Sequence, residues 1–303
     1  MGLIFDILGS IFGYILWFFF DLVNNYGLSI TLFTITINIV MFPLAISRQK
    51  SMTKNSKLAV KQQELKKKYE KNPKKYNEEV SKLYEKEGMS PLNGCFSAMV
   101  LPLILWGGII GAVTKPLQNT LHISAEKIVS ANSIIQTIPG ISSTYMQGYE
   151  QLQLVRLFSD IKPYLTIFSE SELQDISQFS SGFKFMGLNL LDRPNAVPFS
   201  DMLWIVPLVC FLSSILSMYV TQKFSGNTTS NMQGCTKYMP YGIFIFTAYI
   251  AYTIPAAVGL YWIVNSIINM LQSLMLNIYY NTYTINAKEE AKRFKLLKSY
   301  EQT

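Results

Sequence analysis

The residues that offer the most chemistry in this sequence are carboxamides inside long apolar runs. Asn265, Asn269 and Gln272 follow Trp262 at spacings of three, four and three residues. This spacing places the four side chains on one face of a helix. An amide that faces lipid without a partner is costly, so these side chains must face one another, a neighbouring helix or water. The stripe therefore predicts either hydrogen-bonded helix packing or a hydrated recess in a membrane.

Two other apolar runs carry polar residues at helical spacing. They are Thr31, Thr34 and Asn38 in the first run, and Ser213, Ser217 and Thr221 in a later one. Serine and threonine hydroxyls also bond back to carbonyls of their own helix, so for these positions we favour packing. For the amides we favour a hydrated recess, because three of them share one face. The predicted polar groove consists of Thr34, Asn38, Ser213, Ser217, Trp262, Asn265, Asn269 and Gln272.

Other reactive residue types are sparse and scattered. The three cysteines, Cys95, Cys210 and Cys235, have no metal-ligand spacing, and the single histidine, His122, has no ligand partner nearby in sequence. The sequence contains neither a glycine-rich phosphate loop nor a nucleophile elbow. These features predict a protein that is not an enzyme, with no cofactor and no metal site.

The composition indicates an integral membrane protein. Half of the 303 residues are hydrophobic and 15% are charged, against about 25% charged in soluble domains. Residues 48–87 hold thirteen Lys/Arg and six Asp/Glu, which equals the net charge of +7 of the whole chain. Short loops rich in Lys and Arg lie on the cytoplasmic side, so this charge predicts orientation. Contact of the basic segments with ribosomal RNA is the weaker interpretation.

Five runs are long and apolar enough to cross a bilayer: residues 28–47, 95–113, 202–220, 238–254 and 256–279. The charge bias places 48–90, 222–237 and the basic tail 280–303 in the cytoplasm, and 115–200 outside. The prediction is an all-α polytopic membrane protein with five transmembrane helices, an outer N-terminus and a cytoplasmic C-terminus.

The polar segments show local order of their own. Residues 48–90 carry apolar stripes at helical spacing on both sides of Asn72-Pro73, which predicts a cytoplasmic hairpin of two amphipathic helices. Ser169 and Glu172 have the spacing of a capping box. Residues 183–190 are too irregular to interpret. Residues 1–23 are apolar but include Asp6 and Asp21, and we predict an outer interfacial helix, with a sixth span as the alternative.

Three motifs in order resemble the YidC/Oxa1/Alb3 family of membrane protein insertases, in its short Gram-positive form. Residues 90–96 (SPLNGCF) resemble the family's NPLxGCxP entry to its second core span, and 254–262 (IPAAVGLYW) its PAGLxLYW entry to the last. Pro43-Leu44 matches the PL that ends the first span. The resemblance implies five core helices around a groove that is open to cytoplasm and lipid and closed outside. It also implies an amphipathic outer helix before the first span.

The chain departs from this family at two informative places. Asn38 stands where the family usually has an arginine, so the recess would attract acidic substrate residues less strongly. The 115–200 segment is also longer than in short members of the family.

The resemblance and the polar stripes predict an insertase that receives nascent membrane proteins and releases their apolar segments laterally into lipid. The implied partners are these substrates, lipid, the ribosome through the basic hairpin and tail, and the Sec translocon. One alternative is a membrane scaffold or assembly chaperone that does not insert its clients. A solute transporter is less favoured, because an odd span count without internal repeats argues against an inverted-repeat plan.

Overall fold

The computed structural model of the protein describes residues 2–70, 72–86, 107–138, 148–225, 239–279 and 291. Several sequence predictions fall at least partly outside the described residues. They concern the motif 90–96, Cys95, Cys235, residues 95–106 of the second predicted span, most of the loop 222–237 and nearly all of the tail 280–303.

The described chain is helical apart from one short β-hairpin. The longer helices are α1 (Gly2–Val23), α2 (Tyr26–Val40), α3 (Phe42–Lys68), α4 (Pro73–Lys86), α5 (107–114), α7 (Ala125–Thr137), α8 (Glu150–Arg156), α10 (Glu170–Ser181), α11 (Ile205–Ser225), α12 (Met239–Thr253) and α13 (Ala256–Tyr279). The single-turn helices are α6 (Pro116–Asn119) and α9 (Phe158–Ile161), with 3-10 turns at Lys162–Tyr164, Pro194–Ala196 and Met202–Trp204. Strands β1 (Lys184–Phe185) and β2 (Leu188–Asn189) pair antiparallel.

The chain divides into two compact units. The first comprises Met1–Asn38, Pro102–Ile215 and Tyr238–Ile268, and the second Ile39–Leu101, Leu216–Lys237 and Asn269–Thr303. The first unit contains α1, most of α2, the 115–200 segment and the first half of α13. The second contains the basic hairpin of α3 and α4.

Three helical stretches in the described part of the chain are long and apolar enough to cross a membrane: Ile4–Val23, Met202–Thr221 and Ala256–Tyr279. Two shorter apolar helices are Tyr26–Val40 and Phe244–Thr253. These helices indicate an all-α membrane protein.

The predicted first span, residues 28–47, is divided between two helices. Helix α2 ends at Val40, Met41 forms the junction, and α3 begins at Phe42 with Pro43 in its first turn. Proline has no N–H to donate to the carbonyl four residues earlier, so a helix readily begins at Pro43 but does not run through it.

Helix α1 has two apolar faces. Phe12, Leu16 and Phe20 are buried within the first unit. A second stripe of large apolar side chains is exposed: Ile4, Ile7, Ile11, Tyr14, Phe18 and Leu22. A helix that is apolar all round belongs in a protein core or a membrane, and the residues that the structure describes leave the outward face of α1 exposed.

The described residues of the 115–200 segment, 115–138 and 148–200, form several short helices around buried apolar side chains. These side chains include Leu152, Phe158, Ile161 and Ile176. The predicted capping box at the start of α10 is confirmed: the Ser169 hydroxyl accepts from the Glu172 N–H, and the Glu172 carboxylate accepts from the Ser169 N–H at 2.7 Å.

In the second unit, α3 and α4 pack against each other, as the two-helix hairpin prediction requires. The apolar positions of α4, including Tyr76, Val80 and Leu83, are half-buried, whereas most of its lysines are exposed. At the turn, the Lys68 and Lys75 ammonium groups lie 5.5 and 5.6 Å from the centre of the Tyr69 ring.

Candidate functional site: a polar face on α2 and α13

The polar residues of α2 are tied to their own helix. The buried Thr34 hydroxyl donates to the Ile30 carbonyl at 2.6 Å, and the Asn38 amide donates to the Thr34 carbonyl at 2.8 Å. Thr34 thus behaves as the packing interpretation of hydroxyl residues predicts, and its backbone carbonyl holds the Asn38 side chain in place.

Asn38 also makes the contact that joins two predicted groove helices. Its Nδ2 donates to Oδ1 of Asn265 in α13, with the two atoms 3.4 Å apart. Both residues are half-buried. This hydrogen bond leaves the Asn265 amide nitrogen and the Asn38 carbonyl oxygen as further hydrogen-bonding groups at the same point, so the pair is suited to binding water or a peptide group.

The serines of α11 also bond within their helix. Ser213 and Ser214 donate to the carbonyl of Cys210 at 3.1 and 2.8 Å, and the free thiol of Cys210 is buried. Ser213 is half-buried in the first unit. Its hydrogen bond lies within α11 and does not link α11 to another helix.

The other predicted groove residues continue along α11 and α13. Trp262 is half-buried in the first unit, one turn before Asn265. In the second unit, Ser217 and Gln272 are half-buried and Asn269 is exposed. These four positions stay sequence predictions as groove residues.

The first turns of α2 and α13 are held by residues 182–192, which we call the clasp. The Tyr26 N–H donates to the Gly182 carbonyl at 2.8 Å, and the N–H groups of Ala256 and Ala257 donate to the Asp192 and Leu190 carbonyls at 2.9 Å each. The clasp contains the β1–β2 hairpin, whose turn at Met186-Gly187 has positive φ at both residues.

An aromatic cluster backs the clasp. Tyr26 lies 4.2 Å from Phe183 and 5.2 Å from Phe179 between ring centres, and Phe20 of α1 lies 5.0 Å from Phe179. All four rings are buried. Aromatic pairs of this geometry stabilise by about 0.5–1.5 kcal/mol beyond area burial, so α1, α2 and α10 are tightly joined here.

The sequence interpretation missed the clasp. Phe183 and Phe185, then Leu188 and Leu190, alternate with polar or small residues on each side of Met186-Gly187. Alternation around a glycine-containing turn is a hairpin signal, and it could have predicted β1 and β2. The backbone carbonyls that bond α13 have no signal in the sequence.

A separate apolar cleft of about 680 Å³ lies in the first unit beside α11 and α12. Its lining includes Phe199, Trp204, Leu208, Phe211 and Ile245, with Asp201 at one side. None of the predicted groove residues lines it. Among the residues that the structure describes, no group of three or more His, Cys, Asp or Glu could hold a metal ion.

Comparisons with known proteins find one family and several relatives. Residues 18–283 match the family described as 60Kd inner membrane protein. A protein of Helicobacter pylori named Membrane protein insertase YidC is 27% identical over 262 residues, covering 86% of this chain and 34% of the relative.

Two shorter matches carry the same name. The chain is 40% identical over 86 residues to a protein of Magnetococcus marinus, covering 28% of this chain and 16% of the relative. It is 35% identical over 108 residues to one of Caulobacter vibrioides, covering 36% and 17%. The matched stretches thus span about a third or less of these relatives.

Proposed function

Since this chain belongs to the 60Kd inner membrane protein family, which is the YidC/Oxa1 family, we propose that it is a membrane protein insertase. The structural observation that carries the proposal is the hydrogen bond between Asn38 and Asn265, which sets two amides between apolar helices. The family is not an enzyme family in the catalytic sense, and the proposed mechanism has no covalent step and needs no cofactor.

The work of an insertase is to move polar chain through an apolar slab. Each unsatisfied backbone group in lipid costs several kcal/mol, and a charge at mid-depth about 2.5–3.5 kcal/mol on insertion scales. A polar recess halfway through the membrane shortens that slab. Partition of the client's apolar segment into lipid then supplies the driving force, at about 25 cal/mol per Å² of apolar surface removed from water.

The depth of the amide pair fits this task. Asn38 lies about 18 Å along α2 from Tyr26, and Asn265 about 14 Å along α13 from Ala256, at 1.5 Å rise per residue. With the first turns of both helices at the outer boundary of a hydrocarbon core about 30 Å thick, the pair is near mid-depth. Thr34 and Trp262 would border the recess on the outer side, and Ser213 would face it.

The charge distribution supports an inward-facing recess. The hairpin residues 48–87 hold the net positive charge of the chain, so we place the hairpin and the tail in the cytoplasm and the N-terminus outside. The 115–200 segment is then extracellular, and the clasp closes the outer end. Clients would enter from the cytoplasm and leave sideways into lipid.

The proposed partners follow from this arrangement. Nascent membrane proteins are the clients and lipid receives them. The exposed lysines of α4 and the two lysines beside Tyr69 suit contact with ribosomal RNA, whose phosphates attract such a surface. Cooperation with the Sec translocon is a further proposal that rests on the family resemblance.

The proposal is tested by insertion of a single-span client into liposomes that contain the purified protein. Asn38→Leu and Asn265→Leu remove the amides and should each reduce insertion several-fold. Ile35→Leu, an exposed position on the same helix, is the matched control. Undiminished insertion by a folded Asn38→Leu, Asn265→Leu double variant would refute the recess as the working site.

A scaffold or assembly chaperone that holds its clients without inserting them is the alternative function. The two functions differ in the fate of the client. An insertase moves a client's polar segment into the vesicle, where added protease cannot reach it. A scaffold leaves that segment outside, where protease digests it.

A further inference from the structure

We propose that Asp192 and Arg156 are positioning residues of the groove, because they hold the clasp that fixes the outer ends of α2 and α13. The inference rests on the proposed function for its biological meaning. It assigns a role to the 115–200 subdomain: the subdomain seals the outer end of the recess.

The clasp holds α2 through its first residues. The Tyr26 N–H, which has no carbonyl partner within its own helix, donates to Gly182, and the Asn25 side chain donates to the Lys184 carbonyl at 2.8 Å. Gly27 lies against the Phe185 ring so closely that a Cβ there would overlap it. The β-hairpin therefore packs directly against the start of α2, with no space for a side chain at position 27.

The clasp holds α13 in the same way. The first N–H groups of a helix have no internal acceptors, and in α13 those of Ala256 and Ala257 donate to the Asp192 and Leu190 carbonyls at 2.9 Å. Both alanines are buried. A loss of these acceptors would leave two buried N–H donors unpaired, which is strongly unfavourable.

The side chain of Asp192 fixes the clasp to the subdomain core. One carboxylate oxygen pairs with Nε of Arg156 at 2.7 Å, and the other accepts from the Asn189 amide at 2.8 Å. Arg156 ends α8, where Leu152, Leu154 and Val155 are buried. The carbonyl that caps α13 thus belongs to a residue whose side chain is held by an ion pair with the last residue of α8.

The consequence is a constraint on the groove. The clasp joins both helices at their outer ends, and Asn38 and Asn265 join them deeper in the membrane. The stretch between these two ties, which includes Thr34, is closed. Water and client segments therefore reach the amide pair from the cytoplasmic side while the clasp is intact.

The test measures access from outside. Thr34→Cys, in a background with the three native cysteines replaced, is probed with a membrane-impermeant maleimide added to the outer face. In the protein with an intact clasp, modification should be slow. Arg156→Gln should speed it about tenfold, which corresponds to opening that is about 1.4 kcal/mol easier.

Two further variants make the result specific. Arg156→Lys keeps the charge and should restore much of the protection, whereas Lys162→Gln, an exposed change elsewhere in the subdomain, should leave it unchanged. Gly27→Leu displaces the hairpin without touching the ion pair and should also expose position 34. Hydrogen exchange of the Ala256 and Ala257 amides should rise in the Arg156→Gln and Gly27→Leu variants.

The proposal fails if folded Arg156→Gln and Gly27→Leu proteins keep the rates of the protein with an intact clasp. The rates compared are those of maleimide labelling from the outer face and of amide hydrogen exchange. That outcome is independent of insertion activity, because neither readout uses a client. Conversely, a failure of Asn38→Leu and Asn265→Leu to affect insertion would remove the proposed function but leave the labelling result intact.

Discussion

The Asn38 amide of α2 donates to the Asn265 side-chain oxygen of α13 across 3.4 Å. The two residues are 227 positions apart in the chain, and each follows an apolar helical run. The two amides therefore face each other in the structure. The hydrated recess around them remains a proposal.

Introducing a positive charge at the amide pair should change client preference. Asn38→Arg places a guanidinium beside Asn265. Insertion of clients with acidic residues in the translocated segment should rise by up to about fivefold, the effect of about 1 kcal/mol of attraction. Neutral clients inserted by the same liposomes provide the control, and an equal rise for both classes would contradict charge attraction.

The capping box of α10 should contribute measurably to the subdomain. Ser169→Ala removes the acceptor for the Glu172 N–H and should lower the free energy of unfolding by about 1 kcal/mol. Thermal denaturation monitored by helical circular dichroism gives the measurement. Ser177→Ala, on the exposed side of the same helix, is the matched change and should have little effect.

The stability of the α1 contact should depend on pH through His122. Its ring stacks on Tyr14 of α1 at 3.6 Å, and burial lowers its pKa below the ordinary value of 6.5. The folded protein thus binds this proton less readily than the unfolded chain. Stability is then greatest above the ordinary pKa, declines as the pH falls through it, and levels off below the folded pKa.

The measurement for His122 is the melting temperature between pH 8 and pH 5, compared with His122→Asn. Asparagine tolerates the positive φ of 55° at this position and does not titrate in this range. The part of the pH dependence due to His122 should disappear in the variant. An identical pH profile for both proteins would show that protonation of His122 does not contribute to the pH dependence of stability.

A lysine scan of the exposed stripe of α1 should decide between an interfacial helix and a sixth span. If α1 spans, Ile11→Lys lies near the bilayer centre and costs about 2.5–3.5 kcal/mol, whereas Leu22→Lys at the helix end costs little. If α1 lies in the interface, the two substitutions should have similar effects. The melting temperature of each variant in liposomes gives the measurement.

Local signals in the sequence predicted local structure well. The Ser169–Glu172 box was predictable because its partners are three residues apart, and the shared face of Asn265 and Trp262 because a helix has a fixed period. The break at Met41 was missed because hydropathy averages over a run. Pro43 was the available sign, since a proline starts a helix more readily than it continues one.

Contacts between residues far apart in the sequence could not be predicted. The acceptors for Ala256 and Ala257 are main-chain carbonyls, and every residue offers one. Nothing in the types of Leu190 and Asp192 identifies them as caps for a helix that begins more than sixty residues later. The pairing of Asn38 with Asn265 was predictable only as a shared need for a polar partner.

The clasp also constrains the order in which parts of the chain pack during synthesis. Asn25 and Lys184 are 159 residues apart, so α2 leaves the ribosome long before its anchor exists, and α13 is made later still. Since the bonds of both helices require residues 182–192, this segment must fold before the first turns of α2 and α13 are held. Contacts of such long sequence separation form slowly, so the complete clasp forms only after α13 has been synthesised.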